Sequence, residues 1–269
     1  MRTPHRIINI TLLSGVILLF SCSEEFKFVQ VSDPQFGMIS GNKGVSEETL
    51  LYIKAVEGIN SVDPALVIVT GDLVNDRSDS SQLNEFKRIT LRIKTKKIYV
   101  TPGNHDVGND PAKKDIEEFS EKFGSDRFSF SYKKCWFIGF NSNLIKSTDS
   151  NLEEEQYRWL QDELEKAKDA MYIFLFCHHP FFVNDPEEPE EYFNINPAQR
   201  KKYLDLFAEY GVDAVFAGHL HKNVSARAGN MKMITTSSAG KQLGNDLPGF
   251  RLVTVSRQGF TDTYIKSDD

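Results

Sequence analysis

Short apolar runs recur along the chain, and each stops abruptly at a polar, glycine-bearing turn. Phe26 to Val31, Ala65 to Thr70 and Ile98 to Val100 have the length and composition of buried strands. Between them, Leu50, Ile53, Val56 and Ile59, then Leu83, Phe86, Ile89 and Ile93, recur at helical spacing. Ser46 reads as the N-cap of the first helix, with Glu47 and Glu48 in the turn where carboxylates suit the helix dipole. This β-α-β-α-β order predicts parallel strands joined by crossover helices.

The pattern continues with a helix from about Pro111 to Lys122 and two strands, Phe128 to Tyr132 and Cys135 to Phe140, turning at Lys133-Lys134. Asn151 and Glu154 look like a capping box for a helix that carries Tyr157, Leu160, Leu164 and Ala167 inward. Tyr172 to Cys177 is a strongly apolar strand. Asn196 and Pro197 open another helix and Gly211 closes it, ahead of a strand at Val212 to Ala217. Further strands are expected near 231–236, 249–256 and 258–265. The acidic, proline-punctuated stretch at 184–192 reads as a solvated surface loop, and its place beside His178 also allows a lid. No repeat or linker interrupts residues 22–269, so one mature domain is expected.

The N-terminus follows a different rule. Arg2, His5 and Arg6 precede an apolar run from Ile7 to Phe20 that is short for a membrane span. Leu19-Phe20-Ser21-Cys22 resembles the lipobox of bacterial lipoproteins, which makes residues 1–21 a signal peptide and Cys22 the lipidated, membrane-anchoring residue. Ser23-Glu24-Glu25 resembles the acidic signals that send some lipoproteins to the cell surface, so the expected location is extracytoplasmic, periplasm-facing or on the surface. The net charge of −6 becomes −8 once residues 1–21, with two cations and no acids, are removed. That balance argues against a nucleic-acid partner, whose binding face is usually basic. Cys135 and Cys177 lie in apolar strands and are expected to be buried thiols, with no disulfide and no Cys-x-x-Cys zinc pattern.

The chemistry gathers where strands end. Of six histidines, all but His5 follow a predicted strand directly: His105, His178, His179, His219 and His221. Asp33, Asp72 and Asn104 occupy equivalent places, and parallel strands deliver such residues to one edge of a sheet. Carboxylates, an amide oxygen and imidazoles without thiolates suit divalent Mn, Fe, Zn or Ni and not a structural zinc. The donors are too many for one ion with open positions, so two ions about 3.5 Å apart are the natural reading. His219 and His221 are spaced to reach neighbouring ions.

Asp33-x-Gln35, Gly71-Asp72, Gly103-Asn104-His105-Asp106, His178-His179-Pro180 and Gly218-His219-x-His221 together resemble the ordered motifs of calcineurin-like metallophosphoesterases. Asp33-Pro34-Gln35-Phe36-Gly37, Glu191-Tyr192-Phe193-Asn194 and Gln242-Leu243-Gly244 are similar to the calcineurin-like phosphoesterase domain-containing protein 1 subfamily. The resemblance spans about residues 26–265. It implies a four-layer αββα sandwich with two mixed sheets. It also implies that Asp33, Gln35 and His221 hold one metal, Asn104, His178 and His219 the other, and that Asp72 bridges both. His178 takes the ligand place of the His-x-Pro pattern, leaving His179 either packed against its strand or beside the ligands. Gln35 departs from the family's usual His, and an amide oxygen is a harder, weaker donor. Asn75 stands where phosphoprotein phosphatases carry an Asp that orients the catalytic His, leaving Asp76 and Asp106 as candidates to orient His105 or meet substrate.

The expected reaction is hydrolysis of a phosphate monoester, with a metal-bridging hydroxide attacking phosphorus and His105 protonating the leaving alkoxide. A phosphoprotein or a small phosphate ester is the expected substrate. A phosphodiesterase acting on a cyclic nucleotide or a glycerophosphodiester shares the motifs, and a non-catalytic metal-binding lipoprotein would explain Gln35. A nuclease is disfavoured by the charge.

Overall fold

Side-chain alternation within the strands sets the layering of the protein, a computed structural model of which describes residues 25–267. The expected signal peptide and Cys22 lie outside the described residues. In β1 (Phe26–Val31), Phe26 and Phe28 face one core while Val29 and Val31 face another. β2 (Leu66–Thr70) repeats this with Leu66 and Ile68 against Val67 and Val69, and β3 (Ile98–Thr101) pairs parallel to it. Strands apolar on both faces must be covered on both faces. Helices α1 (Ser46–Ser61) and α2 (Ser80–Thr90) cover one of them through Tyr52, Val56, Ile59, Phe86 and Ile89.

After α3 (Asn104–Val107) and α4 (Lys113–Phe123), the chain builds a second sheet. β4 (Phe128–Tyr132) and β5 (Cys135–Gly139) form a hairpin whose turn residues, Lys133 and Lys134, both have positive φ. Next come α5 (Ser142–Lys146), α6 (Ser150–Ala167), β6 (Tyr172–Phe176), α7 (Pro197–Glu209) and β7 (Ala214–Ala217). β8 (Val224–Ala228) and β9 (Met231–Thr235) finish this sheet, whose order is β4-β5-β6-β7-β9-β8. β10 (Gly249–Ser256) and β11 (Gly259–Lys266) return to the first, giving β11-β10-β1-β2-β3. Both sheets are mixed: β1-β2-β3 and β5-β6-β7-β9 are parallel, and the remaining pairs are antiparallel.

The sheets stack on an aromatic core. Phe28 has no exposed surface, and its ring lies 5.3 Å from Phe137 and Phe174, 5.7 Å from Phe216 and 5.9 Å from Phe176. Burying each such ring contributes roughly 1.5–3 kcal/mol. Leu160, Leu164, Tyr203 and Phe207 close the outer face of the second sheet, completing the αββα sandwich.

Two caps differ from expectation. α1 starts at Ser46 behind Val45 without a side-chain cap, and Glu48 turns inward to accept from Ile39 N–H at 2.6 Å. α6 is capped by Asp149, which accepts from Asn151 and Leu152 N–H, and not by Asn151. Asn196 does cap α7, with Pro197 in its first turn. Cys135 and Cys177 are buried and free.

Candidate metal centre

The strand ends converge because the two sheets are tied together there. Gln30 of β1 donates to Thr70 Oγ1 at 2.7 Å and crosses to the Ala217 carbonyl of the other sheet at 2.9 Å. Beyond this tie the loops after β1, β2, β3, β6 and β7 face one another, and they carry all seven expected ligands.

Five of those seven sit in an uncommon backbone conformation. Asp33, Gln35, Asp72, His219 and His221 have φ between 37° and 68°. For residues with a Cβ this region costs on the order of 1 kcal/mol or more each, and such strain gathers at functional sites. Glycines make the room. A Cβ at Gly103 would stand 2.1 Å from Asp72 Oδ1, and one at Gly218 would stand 1.8 Å from Ser32 Oγ and 2.5 Å from Asp33 Oδ2.

His178 is the hub. Its Nδ1 faces the Thr70 carbonyl at 2.9 Å, and a carbonyl can only accept, so Nδ1 carries a proton. Its Nε2 then meets His219 Nδ1 at 3.1 Å, Asn104 Oδ1 at 3.2 Å and Asp72 Oδ2 at 3.3 Å. Asp72, His178 and His219 offer ligand atoms that all lie within 4.8 Å of one another. On the other side, His221 Nε2 is 3.5 Å from Asp33 Oδ1 while its Nδ1 is fixed by the Lys241 carbonyl. The Asp33 carboxylate also accepts from His219 N–H at 3.0 Å.

The electrostatics follow from this crowding. Burial pulls the His178 pKa down, but the Asp72 and Asp33 carboxylates outweigh it and raise it to about 9. Burial pushes Asp72 up, yet His178, His105 and His219 hold it below the usual carboxylate range. His219, pressed by burial and by His178, falls to about 3.

His105 stands on the short helix α3, one residue past Asn104. Its N–H donates to Asp72 Oδ1 at 2.9 Å, and its Nδ1 lies 2.9 Å from the Asn75 carbonyl. The ring is therefore oriented by a main-chain oxygen and by neither expected carboxylate. Asp106 is buried and accepts from Gly103 N–H at 2.8 Å and Leu73 N–H at 3.0 Å, which braces the two loops. Burial and the Asp72 charge push its pKa up to about 8. Asp76 accepts from Ser78 in a local turn. His179 packs behind the ligands. Ser142 Oγ accepts from the N–H groups of His178 and His179, which leaves its own proton for His179 Nδ1 at 3.2 Å.

Asn75 stands at the expected orienting position but acts through its main-chain carbonyl and not its side chain, and Tyr192, which had no expected site role, brings its ring within 5.5 Å of that of His219. In the sequence Tyr192 stands within the Glu191-Tyr192-Phe193-Asn194 stretch, which carries a subfamily resemblance but no site role.

The donor set fits divalent cations. Two obligate acceptors, Asn104 Oδ1 and Asp72 Oδ2, and the ring nitrogen Nδ1 of His219 surround His178 Nε2, which has at most one proton to give, whereas a cation among them could engage all four atoms. Gln35 Nε2 donates to Asn75 Oδ1 at 3.3 Å, so its Oε1 is left buried without a hydrogen-bond partner. A buried carbonyl oxygen in that condition is costly unless something else binds it. Main-chain carbonyls hold the Nδ1 atoms of His178 and His221, leaving Nε2 as the atom free to ligate, an arrangement that metal-binding histidines commonly have.

Known proteins place the chain. The serine/threonine-protein phosphatase CPPED1 of Rattus norvegicus is 32% identical over 91% of this chain and 85% of its own. A probable glycerophosphodiester phosphodiesterase, GpdQ of Arcobacter nitrofigilis, is 29% identical over 81% of this chain and 80% of its own. Among solved structures, a dimetal phosphatase from Danio rerio shares the fold with a TM-score of 0.62 at 14% identity, over 89% of this chain and 98% of that one. The family model described as calcineurin-like phosphoesterase matches residues 26–223, a span that runs from β1 past His221 and includes every strand-end loop of the centre. The chain belongs to the calcineurin-like phosphoesterase family.

Proposed function

We propose that this chain is a metal-dependent phosphomonoesterase whose centre takes two divalent ions. Asp33, Gln35 and His221 would hold the first, Asn104, His178 and His219 the second, and Asp72 both. The observation that carries this reading is the cluster of ligand atoms from Asp72, His219 and Asn104 around His178 Nε2; the buried, unpartnered Gln35 oxygen on the β1 loop adds to it. When bound, such ions supply Lewis acidity: they bring a water toward ionisation at neutral pH and offset charge on the phosphoryl oxygens.

The protein's own residues supply position and the proton. Asp72 is fixed by the His105 N–H, so the carboxylate that would serve both ions and the proposed acid belong to one hydrogen-bonded unit. Because the Asn75 carbonyl accepts from His105 Nδ1 in either protonation state, the proton that moves is the one on Nε2. His105 is only partly buried, as suits a group that must reach a departing alkoxide.

The phosphatase relatives favour a phosphorylated protein or a small phosphomonoester as substrate, and the Arcobacter relative favours a diester as the second reading. Purified protein with added Mn is expected to hydrolyse p-nitrophenyl phosphate faster than bis-p-nitrophenyl phosphate and to hold two ions per chain by elemental analysis. The reverse preference would install the diesterase. Fewer than two ions and no hydrolysis of either ester would leave a non-catalytic binding protein.

Gln35 gives a separate prediction. Gln35→His restores a softer donor and is expected to tighten the first metal by about 10-fold, the scale on which ligand environment tunes such sites. Competition with a chromophoric chelator measures this. Unchanged or weaker retention would mean that Gln35 does not face the ion.

A further inference from the structure

We infer that Tyr192 is a substrate-positioning residue, whose phenol hydroxyl donates to a phosphoryl oxygen and whose ring walls the open side of the centre. This rests on the phosphoesterase reading and adds to it a contact that none of the five ligand-bearing motifs carries.

The acidic loop that bears Tyr192 is a built structure. The Glu188 carboxylate accepts from the N–H groups of Val183 at 2.8 Å, Asn184 at 2.9 Å and Asp185 at 3.3 Å, and from Asn194 Nδ2 at 2.8 Å. Arg200, 1% exposed, donates to the carbonyls of Pro186, Glu188 and Ile195. Lys146 reaches across from α5 to the carbonyls of Tyr192 at 2.9 Å and Asn194 at 2.6 Å. Burying a guanidinium among carbonyls to shape a surface loop is an expensive arrangement.

What the loop displays does not help the fold. The Tyr192 residue is 63% exposed, so little of its ring is buried. Its tip nevertheless meets the centre: Asn104 Nδ2 donates to the phenol oxygen at 3.4 Å, and the ring stands 5.5 Å from that of His219. The side-chain amides of Asn104 and Asn109 both donate to the phenol oxygen, so its own proton remains to be donated, and the phosphoryl oxygens of an ester bound between the candidate ligand loops are charged acceptors. The same contact turns the Asn104 amide so that Oδ1 faces His178.

Tyr192→Phe and Tyr192→Ala, assayed with Mn on p-nitrophenyl phosphate and glycerol 2-phosphate, test the assignment. Tyr192→Phe is expected to raise KM and the inhibition constant of inorganic phosphate about 10-fold, the scale of one hydrogen bond to a charged group. A smaller share of the loss should fall on kcat, and both ions should be retained. Tyr192→Ala should lose more on the aryl ester than on the alkyl ester. If Tyr192→Phe leaves KM and phosphate inhibition within about twofold, or acts only by shedding metal, the assignment is overturned. Should the wild-type protein hydrolyse neither ester, the phosphoesterase reading falls separately. Calorimetric titration of inorganic phosphate into both metal-loaded proteins then decides the role of Tyr192 by the same ratio.

Discussion

Asp72→Asn is expected to strip both metals and to lower kcat/KM by about 1,000-fold or more, the scale of losing a principal electrostatic element of a catalytic site. The carboxylate is engaged at both oxygens: Oδ1 accepts from His105 N–H at 2.9 Å and Oδ2 stands 3.3 Å from His178 Nε2. An amide offers one oxygen and one NH2. If the oxygen keeps the His105 contact, the NH2 faces the imidazole nitrogen and the ions; if it turns over, two N–H donors oppose each other at His105. The side chain cannot step aside, because the Gly103 backbone is packed so closely that even a Cβ there would stand 2.1 Å from Oδ1. Elemental analysis and p-nitrophenyl phosphate kinetics check the prediction. The sandwich core lies below the strand ends, so the variant should match the metal-free wild type in circular dichroism and Tm. Full metal content with an undiminished rate would remove Asp72 from the bridging position.

Much of this arrangement was written in side-chain periodicity. Leu66-Val67-Ile68-Val69 could only be a strand covered on both faces, and the Lys133-Lys134 turn follows from the runs on either side of it. The convergence of the candidate ligands was legible for a related reason: a polar residue just past a buried strand is delivered to the sheet edge with its neighbours. Other features had no such signature. The left-handed backbone at Asp33, Gln35, Asp72, His219 and His221 is imposed by loops that meet only in the folded chain. His105 is oriented by a main-chain carbonyl, which every residue possesses and no residue type announces. α3 and α5 are too short to show a helical period, and β8 alternates polar with small residues. The 184–192 loop has the composition of a solvated segment, and its fixed shape comes from Glu188 within it, from Arg200 just beyond it and from Lys146, distant in sequence.

His105→Asn is expected to keep both ions and to slow hydrolysis of alkyl esters by about 100- to 10,000-fold, the range for loss of a general acid. Metal retention follows from geometry, since the contact that steadies Asp72 is the main-chain N–H of residue 105, which the substitution preserves. The kinetic effect should depend on the leaving group. An alkoxide is a strong base and cannot depart without a proton, whereas p-nitrophenolate is stable enough to leave unaided. The variant should therefore retain far more of its rate on p-nitrophenyl phosphate than on glycerol 2-phosphate. A residue that merely braced the centre would slow both esters alike, because the steps it disturbed would be common to them. Equal losses on the two substrates, or loss of metal, would reassign His105 to that bracing role; a loss graded by leaving-group basicity separates proton delivery from scaffolding within a single pair of assays.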